Sequence, residues 1–423
     1  MEVLVDILLW AVYILSLYIG VFWLINLLES RAELKRPLHR VSLRRNPFVT
    51  VIVPAYNEEK NVVATIDSIA NLDYPADRFE ILIVNDGSTD NTAKVAEEAI
   101  KKHAGFTIRL INQPNRGKAA ALNKALQIAK GEFFACLDAD SFVDRATLKK
   151  MLKVYEANDR KLTIVTPTMQ VASPKTILQW MQKIEYVVSV FVVRLMSRID
   201  TIYVAPGPFS LYRTSAIRKL GGFDGSTCTE DQEIGYRVQQ HHLKIKQCPD
   251  SVVYTIAPKS LKGLYCQRRR WMRGSLMNIV KYKKMMFNSE YGDFGMFQVP
   301  LNLLTYFFSF SAIILFSYFL LWPLVQKLRD LFIIRFDFWP YLKDIFKYDF
   351  NLINFDVGKI FVLLTILACT LTLLYFAYKH SRETLSRARK FYIVPYLFVY
   401  YLVISSIAMK VLFDVIIRRK QKW

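Results

Sequence analysis

Hydrophobic and polar positions along this 423-residue chain follow two regimes. Residues 3–28, 299–325, 358–378 and 391–417 are almost wholly apolar, and each is long enough as a helix to cross about 30 Å of hydrocarbon. Between residues 48 and 256 short apolar runs alternate with amphipathic stretches, as in a water-soluble domain. Phe48–Pro54, Phe79–Asn85, Ile108–Ile111 and a run ending at Asp138 read as strands. Helices are expected between them: one reaching about Asn71, one after the turn Asp86–Asp90 with Asp90 as N-cap, and one opening at Gly117-Lys118. Strand and helix in alternation predict an α/β domain with a mainly parallel sheet and flanking helices. A further strand is expected from Leu162 to Met169, followed by a helix capped by Ser173 with Pro174 in its first turn. That helix carries Ile177, Trp180, Met181, Ile184, Val188, Phe191 and Leu195 on one stripe, which suits a buried core face or, as favoured here, a membrane interface.

Composition sharpens this division. Apolar residues make up 53% of the chain, and the excess lies in the four long runs. Residues 3–28 exceed a typical signal-peptide core, follow no basic residue and precede no small-x-small cleavage site, so a retained anchor is expected. The net charge of +21 is concentrated beside the apolar runs, with no patch of the nucleic-acid-binding kind. Arg31, Lys35, Arg36, Arg40, Arg44 and Arg45 follow the first run, and Lys379, Arg382, Arg387, Arg389 and Lys390 separate the third from the fourth. By the positive-inside rule both segments, and the soluble domain with them, face the cytoplasm. The tail Arg418-Arg419-Lys420 runs against that rule. Residues 328–356 mix apolar and charged positions and suit an interfacial or extracytoplasmic piece. Five cysteines form neither a Cys-x-x-Cys pair nor a zinc spacing, so packed thiols are expected.

The candidate chemistry lies at strand ends, where open α/β sheets bind ligands. Phe133-Phe134-Ala135-Cys136-Leu137 runs into Asp138-Ala139-Asp140. Two carboxylates one residue apart repel each other unless a cation joins them, and magnesium commonly bridges such carboxylates to substrate phosphates. Asp86 and Asp90 suit turn-making and capping, and an acceptor there is also placed for a pyrimidine N–H. Lys118 at a helix start offers charge and helix dipole to a phosphate. Thr229-Glu230-Asp231 has a full structural explanation as a capped, acidic first turn, and a carboxylate held there can also act as a general base. Gln267-Arg268-Arg269-Arg270-Trp271 offers bidentate phosphate donors and a flat face for a sugar, or a basic helix drawn to anionic lipid. No Walker lysine motif and no G-x-G-x-x-G after a strand are present, against ATP hydrolysis and dinucleotide redox chemistry.

In this order, Asp86, Asp138-Ala139-Asp140, Thr229-Glu230-Asp231 and Gln267-Arg268-Arg269-Arg270-Trp271 resemble the motifs of membrane-integrated family 2 glycosyltransferases: hyaluronan, chitin, cellulose and poly-N-acetylglucosamine synthases. The resemblance covers roughly residues 48–275. It implies a GT-A fold over 48–256, after an amino-terminal span at 1–30 and a basic linker at 31–47. An interfacial segment at 257–295 and about three spans within 296–423 would complete the chain. By the same resemblance, Asn57, Glu58, Asp86 and Lys118 bind the nucleotide, and Asp138 and Asp140 hold the nucleotide sugar with Mg2+ or Mn2+. Asp231 is then the base, Arg270 meets the diphosphate, and Gly207, Glu230, Gln267 and Trp271 meet the acceptor. Pro206-Gly207-Pro208-Phe209-Ser210 stands where relatives carry a glycine-containing acceptor loop, although its two prolines depart from the version common in cellulose synthases.

The implied reaction is an inverting transfer from a UDP-sugar, with GlcNAc or glucose favoured, to a growing β-linked polysaccharide at the cell membrane. Non-processive transfer to a lipid acceptor such as ceramide or diacylglycerol is the alternative enzyme, and an inactive membrane scaffold the alternative class. Four spans are few for a wide conduit, which leaves room for a homo-oligomer or a helper subunit.

Overall fold

The computed structural model describes residues 2–34, 43–333, 357–381, 383 and 387–417. The expectations for Arg36, Arg40, residues 334–356 and the tail Arg418-Arg419-Lys420 lie outside the described residues. The chain folds as two compact units. One comprises Met1–Glu29, Leu304–Phe376 and Leu397–Trp423, and the other Ser30–Leu303 with Ala377–Tyr396. The segment 377–396, grouped by sequence with the C-terminal spans, thus belongs to the unit that holds the sheet.

Among the described residues, four stretches are helices long and apolar enough to cross a membrane: Glu2–Ser30, Phe294–Ile333, Val357–His380 and Arg389–Ile416. They coincide with the four apolar runs. Within the first unit, Lys359 pairs with Asp6 at 2.8 Å, and a Cβ on Gly20 would stand 3.4 Å from Cys369 Cβ.

The second unit is built on one eight-stranded sheet. Its strands are β1 (Val49–Ala55), β2 (Phe79–Asp86), β3 (Thr107–Gln113), β4 (Phe133–Cys136), β5 (Ser141–Val143), β6 (Leu162–Val171), β7 (Ser210–Arg213) and β8 (Lys244–Thr255). Across the sheet they run β3-β2-β1-β4-β7-β6-β8-β5. Pairings β3-β2, β2-β1, β1-β4 and β6-β8 are parallel, whereas β7 runs antiparallel to both neighbours and β5 runs antiparallel to β8. Every residue of β2 is buried, which is why its sequence is a near-continuous apolar run.

Alternation decides which helix each strand residue meets. Val51, Val53, Ile81, Ile83 and Ala135 share one buried cluster with α2 (Val62–Ala70), α3 (Thr92–Lys102) and α5 (Thr147–Glu156). On β1 and β2 also rests α4 (Lys118–Ile128). Glu80, fully buried in β2, is satisfied by Thr50 Oγ1 at 2.8 Å, Lys130 N at 2.9 Å and the Arg109 guanidinium at 2.8 Å. A buried carboxylate persists only with such partners.

Helix α6 (Ile177–Arg198) lies on β6 and β8. Its start differs from expectation. Ser173 takes φ +38°, and the cap is Thr176, whose hydroxyl accepts from Gln179 N at 3.2 Å while the Gln179 side chain accepts from Thr176 N at 3.2 Å. This reciprocal capping box satisfies two backbone donors and outcompetes the serine–proline start. Ile184, Val187, Phe191 and Leu195 are buried on this helix, so much of its apolar stripe serves the core, while Ile177 is exposed. Short α7 (Thr214–Lys219) follows β7, and α8 (Glu230–Gln240) packs against α9 (Leu261–Lys281).

Candidate active site

The carboxyl ends of β1, β2 and β4 bring the expected acidic residues to one side of the sheet. Beyond β1, Asn57 adopts φ +55°, accepts from Thr89 N at 2.8 Å through its side chain and donates its own N–H to Ser88 Oγ at 3.0 Å. Glu58 N–H donates to Thr92 Oγ1 at 2.8 Å. These bonds lace the β1 turn to the β2 turn. Burial raises the Glu58 carboxyl above its ordinary range; a hydrogen bond from Asn61 opposes this, and Asp140, Asp138 and Asp90 add to it. Asp90 is not the N-cap, a position held by Asn91, but its carboxylate still accepts from Thr92 N at 3.0 Å.

Asp86 is 4% exposed and accepts three bonds: Gln113 Nε2 at 2.7 Å, Arg116 N at 3.0 Å and Gly117 N at 2.8 Å. The turn-making role weighed for it is therefore present, and its oxygens shape the loop that delivers Lys118 to the first turn of α4. Lys118 Nζ lies 2.5 Å from Asp138 Oδ1 and 3.2 Å from Glu230 Oε1. Burial disfavours this ammonium, but Asp138, Glu230 and Asp231 more than offset it and hold the charge firmly in place.

The fourth strand stops at Cys136, two residues before the expected end at Asp138. Asp138 O accepts from Ser141 N at 3.0 Å, so Asp138 and Asp140 stand on a tight turn free of the ladder. Asp140 accepts from Ser141 Oγ at 3.1 Å. Burial, and then the charge of Asp138, raise its carboxyl. Two hard oxygen donors that destabilise each other's charge fit Mg2+ or Mn2+. Among the described residues no group of three or more His, Cys, Asp or Glu side chains is placed to hold a metal ion. A cation at Asp138 and Asp140 would therefore draw its other ligands from phosphate and water.

The loop before β7 closes over this pair. A Cβ on Gly207 would lie 2.7 Å from both Asp138 Oδ2 and Lys118 Nζ, so a side chain there would have to displace these two charged groups. Phe209, at φ +58°, donates its N–H to Cys136 O at 2.5 Å. Gly207, expected beside the acceptor, thus stands against the carboxylate–lysine pair.

Glu230 and Asp231 open α8. Asp231 accepts from Gln232 N at 2.8 Å through its side chain, and its carbonyl accepts from Ala205 N at 3.0 Å, which ties α8 to the same loop. Burial first, then Glu230, raise the Asp231 carboxyl to about 6, against the pull of Lys118 and Arg270. Thr229 occupies the N-cap position without a capping bond; its hydroxyl instead sits within 3.3 Å of Gln232 Oε1 and 3.2 Å of Asn278 Nδ2. The partner on α9 wins because that helix passes so close: a Cβ on Gly274 would fall 2.2 Å from Thr229 Oγ1.

Helix α9 carries the Gln267–Trp271 motif in regular helix. Arg270 is exposed and contributes electrostatically at Asp231. Gln267 Oε1 is buried without a hydrogen-bond partner among the described residues. Trp271 is half-buried, with the Arg268 guanidinium 4.2 Å from its ring centroid. Sequence reasoning missed three features here. Glu185 of α6 takes Arg268 Nη2 at 2.5 Å. Burial raises the neighbouring Tyr186 phenol to about 12; Arg268 opposes this, and Glu185 and Asp140 add to it. Fully buried Glu233 accepts from Tyr282 OH at 2.6 Å, meets Lys281 at 2.7 Å and pairs with Arg237, which locks α8 to the end of α9. An acidic residue one turn into a basic run's neighbour helix carries no local signal, so none of these was readable from spacing.

Known proteins sharpen the picture. Residues 50–221 match the model of Glycosyl transferase family 2. Poly-beta-1,6-N-acetyl-D-glucosamine synthase of Staphylococcus epidermidis is 30% identical over 264 residues, 61% of this chain and 63% of the relative. The protein of the same name from Staphylococcus aureus strain COL is 30% identical over 266 residues, with the same coverage. The match thus spans under two thirds of these relatives' length. In solved structures, the mannosyltransferase PcManGT from Pyrobaculum calidifontis in complex with GDP-Man and Mn2+ superimposes with a TM-score of 0.61, at 19% identity, over 98% of this chain and 99% of that one. The fold is accordingly the GT-A-type mixed, mainly parallel sheet with flanking helices, joined to candidate membrane helices.

Because Gly274 admits Thr229, Gly274→Ala is expected to destabilise the sheet unit by ~1–3 kcal/mol through overpacking. Thermal unfolding of the detergent-solubilised protein measures this, and adding Thr229→Ala should recover part of the loss, since Oγ1 and Cγ2 are struck first.

Proposed function

We propose that this family 2 glycosyltransferase domain, on a chain with four helices apolar enough to cross a membrane, extends a β-linked polysaccharide from a nucleotide sugar. UDP-GlcNAc or UDP-glucose is the favoured donor and the chain's growing end the acceptor. The observation that carries this reading is the half-buried Asp231, raised to about 6 and influenced by Glu230, Lys118, Arg270 and Asp138. A base near neutrality beside cations suited to a diphosphate is what sugar transfer needs. The polysaccharide is supported by the likeness to the two poly-beta-1,6-N-acetyl-D-glucosamine synthases. The basic residues Arg44 and Arg45 after the first span support a cytoplasmic domain and a site at the cell membrane.

In this mechanism Asp231 takes the proton of the acceptor hydroxyl. The oxygen attacks the anomeric carbon as the bond to the diphosphate oxygen breaks, and the nucleoside diphosphate leaves with the electron pair. One displacement inverts the centre, so an α-linked donor gives a β-linked product. Arg270 and Lys118 stabilise the charge that grows on the leaving group. Bound at Asp138 and Asp140, Mg2+ or Mn2+ would supply further charge neutralisation there. Asn57 and Glu58, laced to the β2 turn, and Asp86 frame the nucleotide side, while Trp271, Gln267 and Glu230 serve the acceptor. Gly207 keeps the loop against both.

Purified protein given labelled UDP- and GDP-sugars with Mg2+ or Mn2+ should release nucleoside diphosphate and form a ladder of long chains. A single added sugar on lipid would overturn the polymer assignment, and no release from any donor would overturn the reaction. Asp231→Asn should reduce transfer by about 10²–10⁴-fold, the range typical of a lost general base, with UDP binding retained. Activity should also fall about tenfold per pH unit below about 6, where Asp231 is protonated. Glu230→Gln removes the neighbouring like charge and should move that limb to lower pH.

A further inference from the structure

The three consecutive arginines of the motif have three destinations. Arg270 reaches the acid cluster, Arg269 lies 5.8 Å from the Tyr265 ring, and Arg268 turns inward. Successive helical residues diverge by about 100°, which is what separates them. Arg268 is only 4% exposed, so its charge requires a partner. Glu185 on α6 supplies it, with Oε2 2.5 Å from Nη2. The other side of the same guanidinium covers Trp271, three residues along the helix, with Cζ 4.2 Å from the ring centroid.

We propose that Glu185 and Arg268 form a strut that orients Trp271, making both of them positioning residues for the acceptor. The guanidinium is planar, and the carboxylate fixes its tilt. A cation seated on one ring face leaves the opposite face for the sugar. Without Glu185 the guanidinium loses this bond, and the tilt of the plane that the indole rests on is no longer set by it. The strut spans two helices, so α6 takes part in acceptor recognition although it contributes no motif residue. The word acceptor rests on the function proposed above; the orientation of Trp271 does not.

Two measurements on the full-length protein separate these. The first is acrylamide quenching of the Trp271 emission, obtained as the difference between each protein and its Trp271→Phe counterpart. Glu185→Gln and Arg268→Met should each raise the quenching constant at least twofold. The second is steady-state transfer to a short β-linked oligosaccharide of the product. Glu185→Gln should raise the acceptor KM about tenfold, with kcat at saturating acceptor and the donor KM within threefold of the parent. Glu185→Asp keeps the charge balance and should show both effects at smaller size, which provides the test if Glu185→Gln does not fold. Unchanged quenching in the folded variants would overturn the strut, as would an equal change in the donor and acceptor KM. Increased quenching in a protein that transfers no sugar would uphold the strut and overturn the function instead.

Discussion

Four carboxylates, Asp138, Asp140, Glu230 and Asp231, converge on the ammonium of Lys118, and that concentration of like charge is the constraint the site is built around. Like charges in a poorly solvated cleft destabilise one another, so each must be paired, protonated or matched by an incoming cation. The fold uses the first two. Lys118 pairs with Asp138 and Glu230, while Asp140 and Asp231 are shifted toward their neutral forms. In the function proposed above, a metal–diphosphate would supply positive charge to this cluster together with an anion suited to Lys118 and Arg270. The arrangement is thus an energetic readiness for one class of ligand, held by a scaffold rigid enough to resist its own repulsion.

That scaffold is made of backbone. Asp86 spends its lone pairs on Gln113, Arg116 and Gly117, which aims α4 and thereby Lys118. Ala205 and Phe209 bond to Asp231 O and Cys136 O, so one loop joins the start of α8 to the end of β4. Gly207 in that loop approaches the Asp138 carboxylate and the Lys118 ammonium so closely that a side chain there would displace them. Acidic groups from elements nearly a hundred residues apart are therefore registered by hydrogen bonds that involve backbone groups.

Much of this was legible in the chain. Strands such as Phe79–Asp86 are buried on both faces and so announce themselves as apolar runs, and the carboxylates at their ends follow from the rule that open sheets bind ligands there. The four membrane-length helices are set by composition alone. What could not be read was non-local. Whether Ser173 or Thr176 caps α6 depends on Gln179 reaching back, and Thr229 gives up capping because Asn278 arrives from another helix. Residues 210–213 are too short to proclaim a strand, yet they form the antiparallel wedge between β4 and β6. The run Arg268-Arg269-Arg270 looks uniformly basic until helical phase and Glu185 assign each side chain a different neighbour.

The two sides of the site are held by different means. The carboxyl edge of the sheet is set by strand pairing, which fixes the register of β1 against β2 and β4. The side proposed for the acceptor rests on α6 and α9, which no ladder constrains, so side chains must do the fixing. At one end of α6, Trp180 stacks on Tyr392 at 5.9 Å beneath Arg389, and Lys183 pairs with Glu383 at 2.5 Å. Further along, Phe191 stacks on His380. These partners all come from residues 377–396, the connection that follows the third apolar run. Between the two anchors sit Glu185 and Tyr186, which face Arg268 and the neighbourhood of Asp140. A helix pinned on both sides of its working residues behaves as a rigid bar, since its own hydrogen bonds resist bending within a few turns. Through Glu185 and Arg268, the surroundings of Trp271 are thus tied to a segment far from it in sequence.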